Sequence, residues 1–494
     1  MQHRIRGRRG ARRRLSALAI AGALVLASSM GPAADTAHSQ ASCNPTATRD
    51  VRGEGCPLDF SVPVRASLTR TASLHYWHIT VPVTGRVTFE LSPRPPVDLD
   101  LYVETPRGDV ISAQRDEPAR ELSTFVCEAP GEYRVFVQIN ESRDPLLSQV
   151  EYRLAAHASP EIAAALPPPT LSGDGRPVGL HLRQIVMMGF GPAGDVLAST
   201  SDDGILRLWQ VATGGLVAVV GEDAGPIRNL AFSADGRLLA TGGRGGSVRI
   251  WSLGGSVLAP VGGRVETADP RSPAPRPVFA PDGGALAIAK VKEGGTNDHQ
   301  LVEIWRATDY MASARIGADD GVMGLAFTPD SHSLILTTRH IAGAGWTLQA
   351  YDPATGTPTA SLRGIDAIAT NTVSVAPPVV DGSGQLVAVA TRFETPALED
   401  AIRIWRIGAA AFEREIRIPT RKEADLASVA FTPDGQSVVV LSEYPSIART
   451  FRLADGAEIG TRQLRDRADL TTLSSDGRLG AVSSGGTIRV ATLP

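Results

Sequence analysis

Two carboxylates stand two residues apart in the stretch VDLDLYVE, at Asp98 and Asp100. On a strand, residues i and i+2 share a face, and paired carboxylates hold Ca²⁺ when carbonyls or further acids complete the shell. Solvent-facing or turn-capping acids are the competing reading. Calcium at Asp98 and Asp100 is thus the single metal expectation, and no other cofactor is expected. His75 and His78 in LHYWHIT fall on opposite strand faces and do not suit one metal; His75 shares a face with Trp77 and reads as half-buried packing. Of three cysteines, Cys43 and Cys56 flank a short polar segment and form the favoured disulfide in an oxidising compartment. Cys127 shares strand parity with Phe125 and reads as a small buried hydrophobe.

Catalytic constellations do not appear in the sequence. There is no G-x-S-x-G elbow, H-E-x-x-H, P-loop or dinucleotide fingerprint. Histidines beyond residue 177 are His181, His299, His332 and His340, scattered along the chain. No catalytic residue is therefore assigned, and the chain is expected not to be an enzyme.

The elements that would position any site come from a recurring pattern after residue 177. Turns read GPAG at Gly191, SADG at Ser233, APDG at Ala280, TPDS at Thr328, DGSG at Asp381, TPDG at Thr432 and SSDG at Ser474. Each is followed by an apolar strand, and then by a third strand that alternates around a polar residue: ILRLW, SVRIW, LVEIW, TLQAY, AIRIW, IARTF and TIRVA. Spacings of 42 to 53 residues fit propeller repeats. One such unit cannot bury both faces of its small sheet, but neighbours stacked around an axis can. Seven turns and seven third strands give seven blades. The chain ends after a third strand, so a surplus strand near Thr170–Leu182 is expected to pair with the last repeat and close the ring.

Loop length separates the repeats. Between second and third strands the connections in repeats one, two and seven are short, whereas those in three, four and five read KVKEGGTNDHQ, TRHIAGAGW and RFETPALEDA. Three consecutive long loops would form a raised arc on one rim, and loops on a rigid scaffold tend to carry function. Candidate partner-binding residues are Lys292, Asn297, Asp298, His299, Arg339, His340, Trp346, Arg392, Phe393, Glu394, Leu398, Glu399 and Asp400. Mixed charge with a few aromatics suits a protein partner.

Residues 57–157 alternate with period two in short Val-, Tyr-, Phe- and Thr-rich runs bounded by Pro or Gly, which predicts an antiparallel β-sandwich. In order, WHITVPVTGRVTFEL, DLDLYVETPRGDV and APGEYRVFVQ resemble the bacterial pre-peptidase C-terminal (PPC) domain. That resemblance implies a jelly-roll-like sandwich, an accessory module without catalysis of its own. The repeats of 177–494 resemble the WD40 family. The resemblance implies a propeller, with departures: Gln210, Ser252, Arg306 and Arg406 stand where the family places Asp after Trp, and no Gly-His dipeptide occurs. The buried His–Ser–Asp–Trp network of that family is accordingly expected to be missing.

The N-terminus is arginine-rich and precedes the apolar stretch LSALAIAGALVLA, an export signal by composition. Without the seven arginines of the first 34 residues, 42 basic and 52 acidic residues remain, a balance of −10. A mildly acidic body offers no general attraction to nucleic acid. The expected organisation is a signal peptide (1–41), a linker (42–56), the sandwich (57–157), a Pro/Gly-rich linker (158–176) and the seven-bladed WD40-like propeller (177–494). The expected protein is all-β, exported to the periplasm or the exterior, monomeric, and without a membrane span when mature. It would be a non-enzymatic scaffold for a protein partner. The alternatives are a secreted propeller hydrolase, which wants a polar ring around the axis that the repeats lack, and a protease-accessory subunit.

Overall fold

Alternation in the N-terminal runs produces two sheets. The computed structural model describes residues 56–494 apart from 61, 70–73, 95–96, 98, 114–120, 140–148, 168–174, 203, 222–226, 244–245, 254–257, 262–273, 292–299, 319–320, 340–345, 362–371, 396, 410, 419–425, 444 and 466. The signal and linker assignments for 1–41 and 42–55 therefore lie outside the described residues. One sheet runs Cys56–Pro57, Leu74–Val81, Gly131–Ile139, Leu99–Glu104 and Val110–Ala113; the other runs Val64–Thr69, Gln149–Ala158, Gly85–Arg94 and Glu121–Cys127. Their inward residues, among them Trp77, Ile79, Leu101, Val135, Phe89, Leu91 and Leu154, form one core. Inside it Trp77 Nε1 donates to the Tyr152 hydroxyl (2.9 Å), which is also hydrogen-bonded to His75 Nδ1 (2.8 Å). His75 is buried, not half-buried as the sequence suggested, and burial pushes its pKa down to about 4.

The stretch expected to be a linker begins as structure. Pro160–Ala165 is a short helix, and its Ile162 is fully buried in the same core. Pro in the first turn suits the helix start. Apolar residues at the segment's start were available in the sequence, but Pro and Ala content masked them.

From Arg176 on, the described residues form seven sheets, six of them built from consecutive strands. In the seventh, Arg176–Leu180 pairs antiparallel with Thr487–Thr492, the closure expected from the sequence. Innermost strands touch in cyclic order, from Ile185–Phe190 round to Leu470–Leu473 and back. Seven separate apolar clusters each combine one sheet with the next, and the last joins Val490 and Ile488 to Trp209 and Leu197. The aromatic that ends a third strand packs back on the preceding sheet: Trp251 lies with Leu206 and Leu208, and Trp305 with Val248 and Ile250. The arrangement is all-β and consistent with a propeller.

The turns explain their own spelling. Ser233 Oγ donates to Asp235 Oδ1 (2.6 Å) and accepts from the Leu238 amide (2.9 Å), and Thr328, Thr432 and Ser474 repeat this geometry. Where the sequence reads DGSG, the Asp381 carboxylate accepts the Leu386 amide directly (2.7 Å). The fourth turn position is left-handed, which glycine takes without steric cost; Gly236 has φ 68° and Gly435 φ 65°. In TPDS that position falls to Ser331, at φ 61°.

Candidate functional site

Among the described residues, the longest hairpin of the ring is Leu386–Thr395 paired with Ala397–Arg406. Here RFETPALEDA is not a loop, as expected, but a continuation of both strands. β-branched and aromatic residues such as Thr391, Phe393 and Thr395 favour that extension. Arg392 and Asp400 face each other across it in a two-pronged ion pair, Nε–Oδ1 2.8 Å and Nη2–Oδ2 3.1 Å. Both are buried, and burial pushes the Asp400 carboxyl up against the opposing pull of Arg392. Arg392 and Asp400 are thus clamps of the hairpin and not contact residues. Phe393 pairs with Glu399 and Glu394 with Leu398 in the register, so these four positions sit at its tip.

The other rim candidates divide. Lys292, Asn297, Asp298, His299 and His340 lie outside the described residues. Arg339 ends its strand opposite Trp346. Trp346 belongs to the core, not to a binding face: it is 2% exposed and packs edge-on against Trp405 at 5.9 Å. Its place at the start of a strand, facing the next sheet, explains the burial. Asp98 lies outside the described residues, and Asp100 sits half-buried on the outward face of Leu99–Glu104. Among the described residues no group of three or more His, Cys, Asp or Glu suits a metal. Cys56 is disulfide-bonded and Cys127 is a free, buried thiol pushed up to about 11 by burial; Cys43 lies outside the described residues.

A second cluster, which the sequence reading missed, joins the N-terminal sheets to the ring. Glu90 projects from the outer face of Gly85–Arg94, and Arg207 from Ile205–Gln210. Arg207 Nη2 and Glu90 Oε2 are 2.6 Å apart, and both side chains are fully buried. His157 Nε2 lies 3.4 Å from the same carboxylate oxygen, and its ring meets Trp209 edge-on. Burial holds the His157 pKa down, opposed by Glu90. On the ring side Trp209 Nε1 donates to Ser199 Oγ (2.8 Å), which also contacts His181 Nε2 (2.6 Å), and His181 Nδ1 meets Arg207. Arg153 donates from Nη1 to the Leu182 carbonyl (2.6 Å), alongside the small apolar contact of Ala155, Leu180 and Leu182.

This corrects the expectation that the Trp-anchoring network is missing. In the second repeat Trp251 Nε1 likewise donates to Thr241 Oγ1 (3.0 Å). In the fifth, Trp405 Nε1 has no partner among the described residues. The polar residue around which the third strand alternates is itself buried at Arg207 and Arg403. Outward residues such as Glu90 gave no local signal. A faint one was available at LAAH, where Ala155 puts a small apolar residue on the outward face of Gln149–Ala158.

Comparison with known proteins agrees with this geometry. The WD40 model, described as WD domain, G-beta repeat, matches residues 179–210 and 215–252. Those are the two repeats in which a second-strand hydroxyl holds the tryptophan. Similar proteins include the nuclear distribution protein nudF of Aspergillus niger, 28% identical over 160 residues, 28% of this chain and 34% of that protein. Coronin-7 of Mus musculus is 30% identical over 183 residues, 36% of this chain and 16% of that protein. The periodic tryptophan protein 2 homolog of Schizosaccharomyces pombe is 26% identical over 269 residues, 49% of this chain and 29% of that protein. The chain thus spans between 16% and 34% of the length of these relatives. Among solved structures, hydrazine synthase of Kuenenia stuttgartiensis aligns with TM-score 0.52 at 12% identity over 64% of this chain and 96% of that one, a likeness of fold alone. The chain carries WD40 repeats in an all-β, propeller-like ring.

Proposed function

We propose that the protein is an exported, non-enzymatic scaffold that recognises a protein partner through one face of a seven-bladed WD40-like propeller, residues 177–494. The N-terminal sheets, residues 57–157, act as a PPC-like, jelly-roll-like β-sandwich that the 158–176 segment joins to the ring. A signal peptide over 1–41 sends the chain to the periplasm or beyond, where a Cys43–Cys56 disulfide forms and the protein works as a monomer. The observation that carries the partner reading is the rim hairpin. Its strands are ten residues long, where the second strands of the other repeats have six or seven. A buried Arg392–Asp400 clamp stiffens it, so the hairpin offers a pre-organised support, which lowers the entropy cost of binding.

A photo-crosslinking residue at position 394, in protein made by its source organism, should trap one partner that is absent when the residue sits at exposed Met311. Charge reversal by Glu394→Lys with Glu399→Lys should abolish the adduct. Undiminished crosslinking in that variant removes the rim as the contact. Stoichiometric metal or ester hydrolysis by the purified protein would instead favour the secreted-hydrolase reading.

A further inference from the structure

On the outward face of the five-stranded N-terminal sheet, three aromatic side chains form one cross-strand row. In the register Tyr76 stands opposite Phe136, and Phe136 stands opposite Tyr102. Alternation places them outside, because Trp77, Ile79, Leu101, Val103, Val135 and Val137 fill the core on the other side. All three are half-buried, and none joins the core beneath them. The Tyr76 and Phe136 rings meet edge-on, 5.0 Å apart at 78°, so one offers its face and the other flanks it as a wall. Adjacent strands lie about 4.8 Å apart, and the row therefore spans about 10 Å, the length of two linked pyranose rings.

Polar rows border the rings on both sides. His78, Arg134 and Glu104 stand in register along one side, and Gln138 stands between Leu74 and Asp100 along the other. The guanidinium of these rows, Arg134, already meets Glu104 at 3.6 Å, and His78 Nδ1 lies 3.5 Å from Glu132. A polyanion would thus find its cation taken and carboxylates beside it. Apolar surface continues past the row at Val110, 61% exposed and opposite Glu104 on the next strand. Recognition here comes from ring faces edged by hydrogen-bonding groups, and it does not depend on an unpaired charge. Pyranose C–H bonds are polarised by the neighbouring oxygens, so they are attracted to the negative face of an aromatic ring. Pyranose hydroxyls donate to carboxylates and accept from guanidinium and amide groups. The pattern suits an uncharged chain of sugars.

We propose that this face is a carbohydrate-binding surface, which takes a neutral β-1,4-linked glycan against Tyr76, Phe136 and Tyr102. The ligand differs in class from the protein partner of the rim, and the site is testable on the purified full chain alone. In saturation-transfer NMR, irradiating the aromatic protons should pass saturation to the ring C–H protons of millimolar cellohexaose or chitohexaose; the two arms separate a glucan from an N-acetylated ligand. Transfer should be the same at about 50 and 300 mM salt, because a neutral ligand leaves no attraction to screen. Tyr76→Leu with Tyr102→Leu keeps apolar bulk but removes two rings, and should weaken binding at least tenfold, while Tyr102→Trp should hold or raise it. Should the double variant fold poorly, Tyr102→Leu alone, at the end of the row, should still weaken binding several-fold. No transfer to either hexasaccharide from the wild-type chain, transfer undiminished in a folded leucine variant, or transfer to decaproline in place of both sugars would each overturn the proposal, the last by making the face a polypeptide site. None of these results bears on crosslinking from position 394.

Discussion

Arg207 and Arg403 hold the same place in their repeats, two residues before a tryptophan on a third strand, and both are buried. Their partners differ. Arg403 faces Glu415 on the neighbouring strand of its own sheet and binds it from Nε at 3.0 Å. Arg207 faces Val219, which offers nothing to a cation, and its carboxylate comes from Glu90 in another part of the chain. In these two repeats the guanidinium occupies the same spot; with a counter-charge on the fourth strand Arg403 stays within its sheet, and without one Arg207 is paired by a second part of the chain. The same holds for Glu303, whose register partner Arg315 keeps it within its sheet at 3.2 Å.

The largest effect should come from breaking the pair that has no local substitute. A buried charge deprived of its partner costs about 3–5 kcal/mol, so Glu90→Gln should destabilise by that order. Because Glu90 joins the N-terminal sheets to the ring, the variant should also unfold in two calorimetric steps. Glu415→Gln should cost less, since the Glu415 side chain is 18% exposed and keeps part of its hydration, whereas that of Glu90 is 0% exposed. Equal losses in the two variants, or a single transition in Glu90→Gln, would contradict the contrast.

Most of this was legible along single strands and little of it across bodies. Third strands, turns and the closing segment follow from local alternation and turn chemistry, which the chain repeats. The fate of Arg207 was half legible: reading Val219 opposite it in ILRLW and LVAVVG flags an unmatched charge, but nothing near it names Glu90. The rim was misjudged for a related reason. Charged residues such as Arg392 and Asp400 look like surface in a string, and only the register of an extended hairpin shows that they face each other. Trp346 was taken for a loop residue because its strand starts one residue earlier than the TLQAY alternation suggested.

Acid should sharpen the comparison next, because the imidazoles that resist protonation lie on the N-terminal side, His75 in the core and His157 beside Glu90 and Arg207. A folded-state pKa near 4 for His75 means that the native protein stays neutral there while the unfolded chain takes a proton below about pH 6.5. Stability is therefore full above pH 6.5 and falls as pH drops towards 4, by about 3 kcal/mol for this group. His157, also held down by burial, adds in the same direction. Melting curves between pH 7 and 4 should show the transition temperature falling with pH, and His75→Gln should remove much of the slope. A flat profile over that range, or one that the substitution leaves alone, would mean that His75 is not the buried neutral group described.

The smallest effect separates two turns that differ by one residue. TPDG at Thr432 and TPDS at Thr328 share their hydroxyl–carboxylate bonding, yet the left-handed position falls to Gly435 in one and to Ser331 in the other. A residue with a Cβ is disfavoured there by about 1–2 kcal/mol, while the Ser331 hydroxyl recovers part of that by accepting the Asp282 amide of the neighbouring turn at 3.0 Å. An exposed hydrogen bond of this kind contributes about 0.5 kcal/mol, so backbone relief wins. Ser331→Gly should stabilise by about 0.5–1 kcal/mol, read as a small rise in melting temperature. Ser331→Ala keeps the strain and loses the bond, and should lower it. If the two variants moved together, the hydroxyl and not the backbone would be setting this turn.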